Sequence, residues 1–153
     1  MKNFKILLII FIFLNGCGFT PIYKLSEKDI KFTFDNLDFT GDGEINKYLK
    51  QNLDSYYRNN DQEQKLNVKI SSEFIKKELT KNTLGKVLNY EMSISVKFDI
   101  SSKSINKIVN ISDSFVVKND DSNILDQKQY EIYVKKSLSQ KIVDQLIIQI
   151  ITP

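Results

Sequence analysis

Residues 88–100 read LNYEMSISVKFDI, and apolar and polar side chains alternate along this stretch without exception. A period of two is the pattern of a β-strand with one buried face and one wet face, as antiparallel sheets have. A strand of this length spans roughly 43 Å. The rest of the domain therefore has to supply neighbouring strands and an apolar cover for one face.

Shorter alternating stretches on either side predict three more strands. One strand covers about 65–78 and is joined to the central stretch by a polar loop over residues 80–86; another covers 105–117. The first strand begins near Ile30 and crosses a bulge at residues 35–36, where the alternation slips. The inward-facing side chains are Ile30, Phe32, Phe34, Leu37 and Phe39, then Leu66, Val68, Ile70 and Phe74, then Ile105, Val109, Ile111, Phe115 and Val117.

Two segments carry apolar residues at helical spacing. The first helix covers 43–58 and follows a turn. The second begins near Asp126, where Gln129 completes a capping-box pattern and Leu125 with Tyr130 fits a hydrophobic staple. It spans roughly 36 Å, so it is long enough to lie along the central strand. The apolar stripes are Ile45, Tyr48, Leu49, Leu53 and Tyr56, then Tyr130, Val134, Leu138, Ile142, Leu146 and Ile150.

The element order β-α-β-β-β-α predicts an α+β fold. A helix between the first two strands implies a right-handed parallel crossover. We therefore expect a two-layer sandwich in which a four-stranded mixed sheet carries two helices on one face. No Pro-rich or Gly-rich linker divides residues 29–153, which we expect to form a single domain.

The first seventeen residues have the layout of a secretory signal peptide. Lys2 and Lys5 precede an apolar run at 6–14, and Gly16 precedes Cys17. The run is about half as long as a membrane-spanning helix needs. The sequence before Cys17 resembles the lipobox of bacterial lipoproteins, in which this Cys becomes the acylated first residue of the mature chain. The alternative is an uncleaved anchor helix with a chance Cys.

The lipoprotein interpretation divides the chain into a signal peptide at 1–16, an acylated lead-in at 17–28 and the domain at 29–153. Two or more acyl chains, palmitate among them, hold a protein on a bilayer where one chain barely does. Gly18 in place of Asp resembles the sorting signal for the outer membrane, so we expect a lipid-anchored protein on its periplasmic face. Cleavage removes two lysines, and the net charge falls from +3 to +1. So small a positive charge weakens any argument for nucleic-acid binding.

The amino-acid composition excludes several common catalytic and metal-binding sites. The chain has no His and one Cys, so Ser-His-Asp triads, Cys-His dyads and His-based zinc sites are impossible. Arg58 is the only Arg, which counts against bidentate recognition of nucleic acid. Residues 38–43 resemble the opening of an EF-hand, but Thr40 and Leu49 occupy two ligand positions, so we expect no calcium site. We predict no enzyme activity, no metal and no cofactor.

Two features exceed what a simple soluble domain needs. Four lysines surround the predicted hairpin loop and could meet anionic phosphates as point charges; the alternative is a solvated face that protects a sheet edge. Apolar residues surround the C-terminal end of the last helix almost completely; the alternative is an Ile-rich composition throughout. The candidate binding residues are Lys76, Lys77, Lys81 and Lys86, and the candidate partner-facing residues are Ile147, Ile148 and Ile151.

The residues after the predicted cleavage site carry a family resemblance. Residues 17–23, CGFTPIY, are similar to the Cys-Gly-Phe-x-Pro-Leu-Tyr start of the LptE family of lipopolysaccharide-assembly lipoproteins. The alternating strand at 90–100 resembles that family's central strand. The segment SQKIVDQL at 139–146 resembles its Ala-x-x-Ile-x-x-x-Leu helix pattern.

The resemblance implies two helices on a four-stranded sheet and a role without catalysis. Such proteins are acylated into the inner leaflet of the outer membrane, sit as a plug inside a large β-barrel partner, and help to deliver lipopolysaccharide to the cell surface. Their lipid A contacts are basic residues near one end of the sheet. The implied partners are that barrel, lipopolysaccharide, and the membrane through Cys17.

One alternative stays open: an auxiliary lipoprotein or lipid-binding module of another envelope lipid-transport system. A cavity between sheet and helices would favour the lipid-binding module. A solid core with an exposed apolar helix end would favour the plug.

Overall fold

Four strands form one mixed sheet, and both helices pack on one of its faces. The computed structural model describes residues 32–57, 64–119 and 124–152. The elements in chain order are β1 (Phe32–Gly41), α1 (Gly43–Tyr57), β2 (Gln64–Lys81), β3 (Val87–Ser101), β4 (Asn106–Lys118) and α2 (Ile124–Ile151). The sheet order is β1-β2-β3-β4; β1 and β2 are parallel, and the other pairs are antiparallel. The predicted α+β fold is confirmed, while Ile30, the signal peptide and the lead-in lie outside the described residues.

The alternating stretch forms β3, and its inward side chains are buried along most of its length. From Met92 to Ile100 the inward apolar residues are at most 2% exposed. The prediction is wrong for Leu88, which is 42% exposed. The register with β2 slips on both sides of Thr80, so the regular alternation does not continue to this end of the hairpin. Phe115, also predicted to face inwards, is exposed because it lies on the edge strand β4.

One apolar core joins the sheet to both helices. In β1 the predicted bulge is confirmed as a register slip between Phe34 and Asn36. The apolar stripe of α2 is confirmed from Val134 to Leu146, and each fully buried aliphatic side chain contributes about 1.5–3 kcal/mol. The buried apolar side chains of the helices are Ile45, Leu49 and Leu53 in α1, and Val134, Leu138, Ile142, Val143, Leu146 and Ile147 in α2.

The N-terminal half of α2 differs from its prediction. The helix begins at Ile124, so Asp126 lies within the first turn rather than before it, and the predicted capping box is wrong. A carboxylate there still suits the positive end of the helix dipole. Tyr130 is largely exposed, whereas Lys135 is buried. Neither helix in the described parts of the chain is long and apolar enough to cross a bilayer.

The corner between β1 and α1 fixes the parallel crossover. Oδ1 of Asp42 accepts hydrogen bonds from the backbone N–H groups of Glu44 and Ile45, at 3.0 and 2.9 Å, and so caps the start of α1. Gly41 precedes this cap with a φ of +94°. A Cβ at this position would overlap the backbone carbonyl of Ser72 on β2. Only glycine therefore fits the corner.

Gly41→Ala is expected to lower the free energy of unfolding by at least about 2 kcal/mol, because the methyl group meets the β2 backbone and the backbone conformation is unfavourable. Urea unfolding of the chain measures the change. Gly43→Ala is the matched control, since an added Cβ there meets nothing within 4 Å; this variant should be neutral or about 1 kcal/mol more stable. Equal stabilities of the two variants would contradict the role of Gly41.

Candidate functional site

A pocket of about 310 Å³ opens where β2 and β3 approach their hairpin loop. It lies between the ends of β2, β3 and β4 and the N-terminal half of α2. Its volume is at the lower end of the range for small-ligand sites. Its lining combines apolar and aromatic surface with ammonium, carboxylate and amide groups from Lys76, Tyr90, Met92, Val117, Lys118, Asn119, Asp126, Gln127 and Tyr130.

Strand register brings the lining side chains together. Lys76 lies directly opposite Met92, and Tyr90 lies directly opposite Val117. Over this part of the sheet, Val134 is the only fully buried apolar side chain that α2 contributes before residue 138 among the described residues. The pocket exists because this half of the helix does not fill the space above the strands.

A line of alternating charges runs beside the pocket from the sheet to α1. Nζ of Lys76 is 3.0 Å from Oε2 of Glu131, and Oε1 of the same carboxylate is 3.0 Å from Nζ of Lys135. Nζ of Lys135 is also 2.7 Å from Oε2 of Glu44. These four side chains, which we call the charge network, connect β2, α2 and α1.

Aromatic rings face both ammonium groups of the charge network. Nζ of Lys76 is 4.8 Å from the ring centre of Tyr90, and Nζ of Lys135 is 4.4 Å from that of Phe74. Such contacts contribute about 0.5–2 kcal/mol, with the larger values at desolvated sites. The Lys135 side chain is 11% exposed, so this buried charge is balanced by two carboxylates and a ring.

Pairing shifts the pKa values of two groups in the charge network. Burial opposes ionisation of Glu131, but hydrogen bonds and charges from Lys76 and Lys135 outweigh it and hold the pKa of Glu131 below its ordinary 4.5. Burial also opposes the charge on Lys135, but Glu44 and Glu131 outweigh it and hold the pKa of Lys135 above its ordinary 10.5. Both groups are therefore charged at neutral pH.

Amide groups tie the start of α2 to the strand ends. Nε2 of Gln127 donates a hydrogen bond to Oδ1 of Asn119 at 2.6 Å. Nδ2 of Asn119 donates to the backbone carbonyl of Val87 at 2.9 Å, and its backbone N–H donates to the carbonyl of Leu88 at 2.8 Å. These bonds fix the wall of the pocket that is nearest the hairpin.

The four lysines predicted as an anion site lie at this end of the sheet in different environments. Lys76 alone among them lines the pocket. Lys77, the next residue on β2, lies on the opposite face of the sheet, and Lys81 pairs with Glu78 at 2.8 Å. Lys86 lies in the exposed hairpin loop. Of the four predicted lysines, only Lys76 belongs to the pocket, and the anion site itself stays a prediction.

Lys118 lines the pocket, although the sequence analysis did not single it out. It lies at the end of β4, directly opposite Asn89 on β3. Its neighbour Val117 faces inwards, so strand alternation places the Lys118 side chain on the other face of the sheet, as for Lys77. A register counted outward from the short turn between these strands would have found it. Leu84, at the tip of the neighbouring hairpin loop, was also missed and is 90% exposed.

The predicted partner-facing residues need one correction. Ile147 is 0% exposed and belongs to the core, so the prediction is wrong for this residue. The C-terminal half of α2 contacts both the sheet and α1, and therefore buries two rows of side chains rather than one. Ile151 is half-buried against the core, and Ile148 is 36% exposed. Cys17 lies outside the described residues.

Comparison with known proteins gives one family and one fold. The family model described as LptE: Lipopolysaccharide-assembly matches residues 29–150. Rare lipoprotein B from Shewanella oneidensis has a TM-score of 0.54 and 13% identity, covering 75% of this chain and 92% of that chain. An uncharacterized lipoprotein B from Nitrosomonas europaea has a TM-score of 0.57 and 16% identity, with coverages of 79% and 85%.

A minor lipoprotein from Acinetobacter baumannii is similar to the same extent, with a TM-score of 0.51, 17% identity and coverages of 79% of this chain and 90% of that chain. At such identities the likeness to these three structures shows the fold alone. None of the curated protein sequences matches the chain.

Glu131→Gln is expected to lower the free energy of unfolding by about 1 kcal/mol at neutral pH, because an amide cannot pair with two ammonium groups. The folded-state pKa of Glu131 lies below the ordinary value. Its contribution is therefore complete above about pH 4.5 and is lost as the pH falls through the folded-state pKa.

The free energies of unfolding of the native protein and the variant, measured by urea unfolding, should therefore converge as the pH falls from about 7 to about 3. Glu73→Gln, on the exposed face of β2, controls for the loss of one carboxylate. A native-to-variant difference for Glu131→Gln that stays constant down to the lowest pH would show that the ion pairs do not act as described.

Proposed function

The chain belongs to the LptE family of lipopolysaccharide-assembly lipoproteins, and from this premise we propose that it plugs and assists a β-barrel translocon that delivers lipopolysaccharide to the cell surface. The protein is held on the periplasmic face of the outer membrane by acyl chains on Cys17. It acts by binding rather than by catalysis. The observation that carries the proposal is the match of the family model over residues 29–150. The pocket at the hairpin end of the sheet, where an ammonium group lies beside apolar surface, supports the lipid-binding part of the proposal.

The pocket suits an amphiphile with anionic groups. The lipid end of lipopolysaccharide carries phosphates next to acyl chains, so its recognition calls for cations beside apolar side chains. Lys76 supplies the cation, while Met92, Val117 and the ring of Tyr90 supply the apolar surface. Lys81, which pairs with Glu78, and Lys86 lie further along the hairpin, where an ammonium group can meet a phosphate as a point charge.

The size of the pocket favours transient contact over enclosure. A volume of about 310 Å³ holds a fragment of a lipid rather than a multi-chain lipid. The remainder of the ligand would extend from the hairpin end past Leu84, whose side chain is almost fully exposed. This arrangement fits a protein that passes its ligand through a translocon.

The opposite end of α2 supplies the proposed contact with the barrel. Ile148 offers apolar surface there, and Ile151 adds a smaller part. Because the ligand pocket lies at the other end of the helix, binding of lipid and association with the barrel are separable. Variants at one end should leave the other activity intact.

Replacing Lys76, Lys77, Lys81 and Lys86 together by Ala is expected to weaken binding of purified lipopolysaccharide by about tenfold or more, since several charge contacts are lost at once. Association with the barrel should be unchanged. Surface plasmon resonance on the acylated protein measures the binding, and co-purification measures the association.

The matched control for this variant removes four exposed lysines elsewhere, at Lys47, Lys50, Lys69 and Lys97. It changes the net charge equally and should retain lipopolysaccharide binding. Unchanged binding in the first variant would eliminate the lysines as a site. Equal losses in both variants would show that the change in net charge alone explains the weaker binding.

Cys17→Ser is expected to remove the acyl chains and to release the protein from the membrane fraction, because the hydrophobic anchor is lost. Fractionation of cells that express each protein measures the release, and mass spectrometry of each protein measures the acyl chains. A free thiol behind an intact leader in the native protein would disprove the lipid anchor.

A lipid-binding module without a barrel is the second candidate, and the pocket between the sheet and α2 favours it. Purification of the acylated protein from native membranes distinguishes the two candidates. A stoichiometric barrel partner supports the plug. Lipid without a barrel supports the module.

A further inference from the structure

Glu131 forms an ion pair with the ammonium group of Lys76, which lines the ligand pocket. Its carboxylate is shared between Lys76 and Lys135, at 3.0 Å on each side. Among the described residues, Glu131 is the only carboxylate within ion-pair distance of Lys76. Lys135, in contrast, keeps Glu44 at 2.7 Å. Loss of the contact with Glu131 would therefore leave Lys135 paired and Lys76 available.

The two halves of this network differ in their access to solvent. The side chains of Lys76 and Glu131 are 36% and 25% exposed, whereas that of Lys135 is 11% exposed. An anion that enters the pocket therefore reaches Lys76 first. Glu131 can remain on Lys135 after it yields Lys76, so its displacement does not leave a buried carboxylate without a partner.

We propose that Glu131 is an internal competitor for the anionic group of the ligand and so sets the affinity and selectivity of the pocket. This inference rests on the proposed binding of lipopolysaccharide. A ligand phosphate binds Lys76 by displacing the carboxylate, and a doubly charged phosphate is the stronger acceptor. Ligands without such a group do not displace Glu131, because specificity is a difference between competing affinities.

The competition also sets the residence time of the ligand. When the ligand dissociates, Glu131 returns to Lys76 and replaces the lost ion pair. Changes in affinity within one binding site appear mostly in the dissociation rate. A built-in carboxylate therefore keeps the bound state short-lived, as the transfer of a lipid through a translocon requires.

The test uses Glu131→Gln in the full acylated chain, with purified lipopolysaccharide and its dephosphorylated form as probes in surface plasmon resonance. The variant should bind intact lipopolysaccharide about two- to fivefold more tightly, with most of the gain in a slower dissociation rate. Binding of the dephosphorylated form should not change. Adding Lys76→Ala to the variant should abolish the gain.

Glu73→Gln is the matched control, because it removes one carboxylate from the exposed face of β2, outside the charge network. It should leave binding unchanged, and circular dichroism establishes that both variants are folded. Three outcomes would each overturn the inference while the proposed function stands. They are equal or weaker binding by Glu131→Gln, an equal gain with Glu73→Gln, and an equal gain on the dephosphorylated probe. A native protein that binds no lipopolysaccharide would overturn both.

Discussion

The apolar face of β3 must be covered along its whole length, and the two helices cover only part of it. Between Met92 and Ile100 the cover is complete, because α1 and the C-terminal half of α2 bring apolar side chains to the sheet. Towards the hairpin, α2 presents Glu131 and Lys135 instead. The same helix therefore closes the core at one end and leaves a pocket at the other.

The two ends of α2 are held to the sheet by different forces. At the C-terminal end apolar burial dominates, and Nζ of Lys107 donates a hydrogen bond to the backbone carbonyl of Gln149 at 3.0 Å, where helix carbonyls lack partners. Closer to the middle of α2, Lys141 pairs with Asp113 on β4 at 3.5 Å. The N-terminal half depends on the charge network, whose Coulomb energy is largely offset by desolvation. Local opening should therefore begin at this end of the helix.

The sequence determined the sheet more fully than the side-chain environments on α2. Strict alternation identifies β3 because one face is buried and the other is wet. Adjacent lysines at 135 and 136 look alike in sequence, yet Lys135 is buried because Glu44 and Phe74 approach it from other elements. Ile147 could not be told from Ile148 for the same reason, since the number of buried rows depends on how α1 packs.

The pocket lies where α2 is held to the sheet by ion pairs rather than mainly by apolar burial. Its floor consists of strands whose backbone is fixed by sheet pairing, so Lys76 and Tyr90 keep their places. Its remaining wall is a helix segment held by ion pairs and by the amide hydrogen bond between Gln127 and Asn119, with Val134 as its buried apolar contact. A ligand that supplies its own charge can replace those contacts at little net cost, because one electrostatic partner takes the place of another. Full apolar cover would stabilise the domain more, but it would fill the space that the proposed ligand needs. The incomplete cover of β3 is thus the feature on which the proposed binding role depends.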